Sequence, residues 1–520
     1  MFRQFASVGG LTLLSRLSGF ARDIIMAYVL GAGRLADAFL VAFRIPNHFR
    51  AIFAEGAFNA AYIPTYARIQ VEEGPASAQK FYAQLFSMLI ASQLLLLALA
   101  WLFMPQVIDL LAPGYRAEPA KFALALRLTR ITFPYLACIV LVTLHSATLN
   151  ANRHFAAAAF APILLNICIG ACLVLAFLFP NAAYAASFGV LLAGFVQMAF
   201  IMLALRRAGI GEALAWPRWD ADMARFFGIL GPAVIGSAGV QIAIFADTII
   251  ASTLPDGAQA SINYADRLYL LPVGVIGVAA GTVLLPEMSR RLANKDAKGA
   301  FGAQNMTLAV TLALTAPFFV AFLMMPDLVL KAAFMRGRFN AGDAAASARV
   351  LFAYALGLLA LVSIRPVVAG FQAEGDLKTP MYISLVAVAV NVALKLVLVA
   401  HLGAAGLAGA TAVGAWINVS LLAIFAYRRR LFCPDPTLLI MLAATLNSAM
   451  WLTVWIYGAS DPLASYMAPL HAWAAPAQVV VLALGGAVIY GSFMLGQLRL
   501  FNIEVPLLAR LKRKKAAPGA

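Results

Sequence analysis

Residues 14–66 read LSRLSGFARDIIMAYVLGAGRLADAFLVAFRIPNHFRAIFAEGAFNAAYIPTY, two apolar stretches broken by Arg16, Arg22, Asp23, Asp37, Arg44, Arg50 and Glu55. Each stretch is about as long as a helix needs to cross a bilayer. The chain around them is 63% hydrophobic and only 12% charged over 520 residues, with a mean hydropathy of +0.88. No ordinary soluble enzyme of this length has that composition, so the sequence predicts an all-α polytopic membrane protein. Arginine at mid-bilayer depth costs about 2.5–3.5 kcal/mol on insertion scales, so such residues face a protein interior or a water-filled cavity. A chain that places several there is expected to move or hold something anionic.

Working outward, apolar runs of spanning length recur to the C-terminus, where Leu438–Tyr457 and Ala477–Leu498 close the series. The count is about fourteen. Lysine and arginine accumulate in short cytoplasmic loops. Alternate loops here receive Arg153, then Arg206 and Arg207, then Arg290, Arg291, Lys295 and Lys298, then Arg428 to Arg430, with a basic tail from Arg510 to Lys515. Both termini are therefore expected in the cytoplasm, with two dissenting outer loops that hold Arg116 with Lys121, and Lys331 with Arg336 and Arg338. The net charge of +16 reflects this loop bias and does not predict nucleic acid binding. Arg16, Arg22 and Asp23 make the first run too polar for a signal-peptide core, so it is expected to stay in the mature protein. The four cysteines mostly fall in apolar runs and the five histidines form no ligand spacing, so no metal site is expected.

The two halves share text. Asp37 and Asp266 follow alanine before proline-containing helices and lie 229 positions apart, while Asn166 and Asn391 follow matching Leu-Val landmarks and lie 225 apart. Nearly equal offsets predict a duplicated unit of six helices, and an even number makes the repeats parallel. The expected organisation is a six-helix bundle over 1–210, a second over 221–430, two extra helices over 436–500 and a basic tail over 501–520. Two similar bundles around a central cavity suit alternating access.

Seven residues return a helical side chain to nearly the same direction. Arg16 with Asp23, and Asp37 with Arg44, are thus expected on shared faces; Gly19 permits local bending, and Pro46 separates Asp37 and Arg44 from Arg50 and Glu55. Arg16, Arg22, Arg50 and Arg267 are the candidate substrate-binding residues, because guanidinium binds diphosphate or carboxylate bidentately. Asp23, Asp37, Arg44, Glu55 and Asp266 form the expected supporting charge network. Asp247, Arg365 and Lys395 are further intramembrane charges, with a structural role as the simpler reading. No GxxxxGK[ST] loop and no hydrolytic triad or zinc signature is visible, so the chain is read as a transporter without a cofactor. Energy would come from an ion gradient or the membrane potential, worth about 2.3 kcal/mol per charge per 100 mV.

The motifs SRLSGFARD (15–23), ADAF (36–39), RIPN (44–47) and FAEGAF (53–58) stand together, and YADRLYLLPVGVIGVAAGTVLLPEMSR (264–290) looks like a later helix of the same pattern. In this order and spacing they resemble the MurJ (MviN) family of lipid II flippases, within the multidrug/oligosaccharidyl-lipid/polysaccharide exporter superfamily. The resemblance covers essentially the full length. It implies a bacterial inner-membrane protein that carries undecaprenyl-diphosphate-linked peptidoglycan precursor, lipid II, to the outer leaflet, with the bilayer and cell-wall synthesis enzymes as surroundings. It matches Arg16, Arg22, Arg50 and Arg267, with Asp37 and Asp266, to the family's cavity. Ala51 stands where many relatives have a second basic residue, and the last two helices match the family's hydrophobic groove. The competing readings are a multidrug or other lipid-linked oligosaccharide exporter of the same superfamily, for which a drug antiporter should have an acidic cavity, and a non-transporting scaffold of the cell-wall machinery.

Overall fold

The computed structural model describes residues 2–52, 57–211 and 214–503, and every regular element among them is helical. The chain forms two compact units, Met1–Ala260 with Arg336–Asp343, and Ser261–Met335 with Ala344–Ala520. In chain order the helices are α1 (Phe2–Leu30), α2 (Arg34–Ile52), α3 (Phe58–Glu72), α4 (Pro75–Leu102), α5 (Met104–Leu111), α6 (Pro119–Thr132), α7 (Pro134–Ala151), α8 (Phe155–Val174), α9 (Ala182–Arg207) and α10 (Ala221–Ala251). Then follow α11 (Ala258–Pro272), α12 (Val278–Ala293), α13 (Ala297–Met324), α14 (Pro326–Phe334), α15 (Ala341–Ala355), α16 (Leu358–Ala373), α17 (Lys378–Leu402), α18 (Ala404–Arg428), α19 (Pro436–Met467) and α20 (Ala474–Leu500).

The polytopic, all-helical class expected from composition is what the structure shows. Among the described residues nine stretches are long and apolar enough to cross a membrane. One of them, Pro436–Leu500, joins two helices, and the charge-bearing α1 and α2 are not among the nine. The first compact unit runs to Ala260. α10 belongs to the first unit, where Phe226 meets Phe58 edge-on at 5.5 Å and Phe81 at 6.2 Å. In the second unit α13, α16, α18, α19 and α20 close on a core that includes Val320, Phe371, Leu422, Met441, Ile456 and Tyr490.

Hydrocarbon offers no water to the backbone, so each break in a helical ladder needs a local partner. Pro46 cannot donate to the Ala42 carbonyl four residues earlier. Thr132 Oγ1 on α6 donates to that oxygen at 2.8 Å instead. Pro317 orphans the Ala313 carbonyl in the same way, and Tyr490 on α20 donates its hydroxyl there at 2.7 Å. Helix starts are capped by Asn181, Asp220, Asp296 and Asp435, each accepting from a backbone N–H of the first turn. Arg153, Lys295 and Arg430 follow helix ends in left-handed backbone, with φ of 63°, 60° and 58°. The next residue's N–H reaches back in each case, as His154 to Leu149 at 2.8 Å, so the last carbonyls are met and a cation stands at the negative end of the helix dipole.

Candidate functional site

α1 passes through Gly19 unbroken, and the value of that glycine lies in what approaches it. A Cβ there would lie 3.5 Å from the Asn166 amide of α8. Asn166 Nδ2 donates to Ser18 Oγ at 3.0 Å and to the Ser15 carbonyl at 3.3 Å, while its Oδ1 accepts from Arg22 Nη1 at 3.1 Å. Arg22 also grips its neighbour Asp23 through Nη2 at 2.6 Å and Nε at 3.1 Å. Asp23 is buried, so one carboxylate and one amide fix a mostly buried guanidinium. Asp23 therefore holds Arg22; Arg16, seven residues away, is exposed.

The second half of α2 carries Arg44, His48 and Arg50. His48 is buried, packs on Phe245 of α10 at 4.9 Å between ring centroids, and lies within the electrostatic reach of both Arg44 and Arg50. Arg50 donates through Nε and Nη2 to Asn47 Oδ1 at 3.3 Å. Tyr135 of α7, fully buried, is reached by the charges of both Arg50 and Arg22. Arg44 and Arg50 thus bear on His48, and Arg50 and Arg22 on Tyr135, all inside the first unit, with Asp23 bonded to Arg22. Such a set can neutralise a phosphate or carboxylate ligand.

The start of α2 is organised differently. Asp37, 1% exposed, accepts from the backbone N–H groups of Gly257 at 2.8 Å and Ala260 at 2.9 Å and from Lys121 Nζ at 3.4 Å. Lys121, equally buried, also donates to Asp256 at 2.5 Å and sits 4.4 Å from the Tyr115 ring centroid. Arg34 pairs with Asp256 at 3.2 Å and Glu118 at 3.0 Å. Burial pushes the Asp256 carboxyl up, but the hydrogen bonds and charges of Lys121 and Arg34 outweigh it and hold the group below the ordinary carboxylate range. Gly257, at φ +92°, has the Ala32 carbonyl against it, so glycine is required at this turn. Lys121 and Asp256 were not read as site residues from sequence; the available signal was Lys121 dissenting from the loop-charge rule.

In the second unit Asp266 and Arg267 are half-buried on α11, beside Tyr269, which stacks on Tyr354 at 4.9 Å. Lys395 is buried, Asp247 half-buried, and Arg365 exposed with its stem against Gly281. Glu55 and most of the FAEGAF motif lie outside the described residues. Among the described residues no three His, Cys, Asp or Glu side chains gather as a metal site requires, and the four cysteines are thiols.

A family profile described as "Lipid II flippase MurJ" matches residues 26–473. The chain belongs to the MurJ family. Among MurJ relatives, a protein of Rhizobium meliloti (strain 1021) named "Probable lipid II flippase MurJ" is 39% identical over 94% of this chain and 91% of its own length. A "Lipid II flippase MurJ" of Burkholderia cenocepacia is 34% identical over 84% of this chain and 86% of its own. The fold agrees. A solved "Lipid II flippase MurJ, inward closed conformation" superposes with a TM-score of 0.77 over 95% of this chain and 99% of that one, at 23% identity. An inward-facing multidrug resistance MATE family transporter of the MOP superfamily superposes at 0.65 over 82% and 97%, at 15% identity. MurJ membership places the chain among multi-span proteins of the bacterial inner membrane and among transporters, not hydrolytic enzymes.

Proposed function

We infer that the chain flips lipid II from the cytoplasmic to the periplasmic leaflet for cell-wall synthesis, by exposing an arginine-lined site alternately to the two sides of the membrane. The observation that carries this is that the charges of Arg22 and Arg50 bear on buried Tyr135, and those of Arg44 and Arg50 on buried His48, within helices of a MurJ family member. A diphosphate brings two or more negative charges to such a set, and guanidinium forks meet its oxygens pairwise. Arg16, Arg22, Arg50 and Arg267 would bind it; Asp23, Asp37, Arg44, Glu55 and Asp266 would hold or balance them. The membrane potential or an ion gradient drives the step, since an inside-negative potential assists an anion moving outward. Both termini face the cytoplasm, on the distribution of lysine and arginine. The duplicated halves supply the alternation, α19 and α20 serve the lipid tail, and cell-wall synthesis enzymes are candidate partners.

The test is complementation in a bacterium depleted of its own flippase, with the intact chain or its Arg22→Ala, Arg50→Ala or Arg267→Ala variants. Lipid II in the outer leaflet and membrane abundance are measured together. Export restored by the intact chain and lost in well-expressed variants supports the reading. Normal export in all three assigns the arginines to structure.

A further inference from the structure

Away from the arginine set, the structure assigns a second anion site: the cavity where α7 and α9 end and α8 begins binds the headgroup of an anionic phospholipid of the surrounding bilayer. The cavity, of about 420 Å³, is lined by Arg153, His154, Phe155, Phe200, Leu203 and Arg207, among others, and among the described residues by no Asp or Glu. α7, α8 and α9 all belong to membrane-spanning stretches, so their shared end lies at headgroup depth. Other basic helix ends carry their own carboxylates. Arg68 pairs with Glu72 at 2.7 Å and with Asp222, Arg291 with Glu287 at 2.6 Å, and Arg429 with Asp376 at 2.7 Å. Among the described residues, this cavity sets two guanidiniums and an imidazole without one.

Its walls match a lipid better than a free anion. Phe155 and Leu203 are 39% and 48% exposed beside the arginines, so charge and apolar surface adjoin as they do at a headgroup and the first carbons of its acyl chains. Phe200 is backed by Phe160 at 5.3 Å. The arginine is also fixed at its root. Arg153 takes left-handed backbone where glycine is usual, with its N–H donating to the Asn150 carbonyl at 3.0 Å. Asn152 beside it bonds the Thr148 carbonyl at 2.9 Å and Gln70 at 3.3 Å.

The full chain, purified in micelles, is titrated with phosphatidylglycerol and with phosphatidylcholine, and bound lipid is counted by native mass spectrometry. Phosphatidylglycerol binds more tightly. At about a fivefold change per basic residue at a membrane surface, Arg153→Gln/Arg207→Gln lowers its affinity roughly 30-fold and leaves phosphatidylcholine unaltered. Should the double variant not fold, each single variant carries the test with its fivefold step. Arg428→Gln/Arg430→Gln, at another basic end, retains wild-type affinity. The proposal fails if the folded arginine variants bind phosphatidylglycerol as the wild type does, or if the Arg428/Arg430 pair loses as much. It fails equally if inorganic phosphate displaces the lipid at equal concentration, which makes the site one for free phosphate. None of these readouts depends on lipid II export.

Discussion

The two ends of α2 treat charge in opposite ways. At its start, Asp37 is closed in by two backbone N–H groups and Lys121, and Lys121 in turn by Asp256. Three turns on, Arg44 and Arg50 both bear on buried His48, and Arg44 donates to Gln259 Oε1 and Arg50 to Asn47 Oδ1. A compensated end makes a clamp, which ties α2 to α6 and to the loop after α10. The far end, with two guanidiniums and an imidazole within about two turns, supplies donors that an anion could engage.

The sharpest way to break this contrast is Lys121→Met. Removing one partner of a buried pair leaves Asp37 uncompensated and should cost about 3–5 kcal/mol, read by denaturant unfolding in micelles. A loss below about 1 kcal/mol, the range of exposed pairs, would dissolve the clamp. Next in size, Arg50→Gln should lower lipid II export roughly 10- to 100-fold, the worth of a hydrogen bond to a charged group, with little change in unfolding. If unfolding shifts as much as it does for Lys121→Met, both ends of α2 are clamps.

Neutral polar ties should count for less than either. Thr132→Val and Tyr490→Phe each leave a proline-orphaned carbonyl unmet, and about 1 kcal/mol should be lost in each, measured by thermal unfolding. The smallest effect belongs to an exposed pair. Hydrogen bonds from Thr379, with the Arg429 guanidinium, hold the Asp376 carboxyl below its ordinary range despite some burial. A depressed carboxylate stabilises above its unfolded pKa and loses that contribution as pH falls through its folded one. The melting difference between wild type and Arg429→Ala should therefore be small at neutral pH and vanish in acid.

Class and family were legible in sequence because apolar length and the SRLSGFARD to FAEGAF order are local signals. The site was legible in part. Arg22, Arg44 and Arg50 were found because charge inside an apolar run is conspicuous; heptad spacing gave shared faces, not hydrogen-bond partners. Arg22 donates both to Asp23, one residue away, and to Asn166 of α8. Asp37 turns to backbone amides of residues 257 and 260, contacts more than two hundred positions distant that no periodicity reports. Tyr135 and Asn166 enter by packing alone; Asn166 was visible only as a landmark of the repeat. Lys121 read as a loop lysine because it begins an apolar run, and only the fold shows that run entering the protein at Tyr115 and Asp37.

The bond from Thr132 to the Ala42 carbonyl joins positions 90 residues apart. It replaces a rung that Pro46 removed from α2, so the stiffness of α2 at that height is a property of α6. A helix whose missing rung is intrinsic bends wherever its neighbours allow. One whose rung is lent by another helix stays straight while the two keep register and becomes pliable when they slide. The mechanical character of the segment that carries Arg44 and Arg50 is thus written partly in a threonine that touches neither.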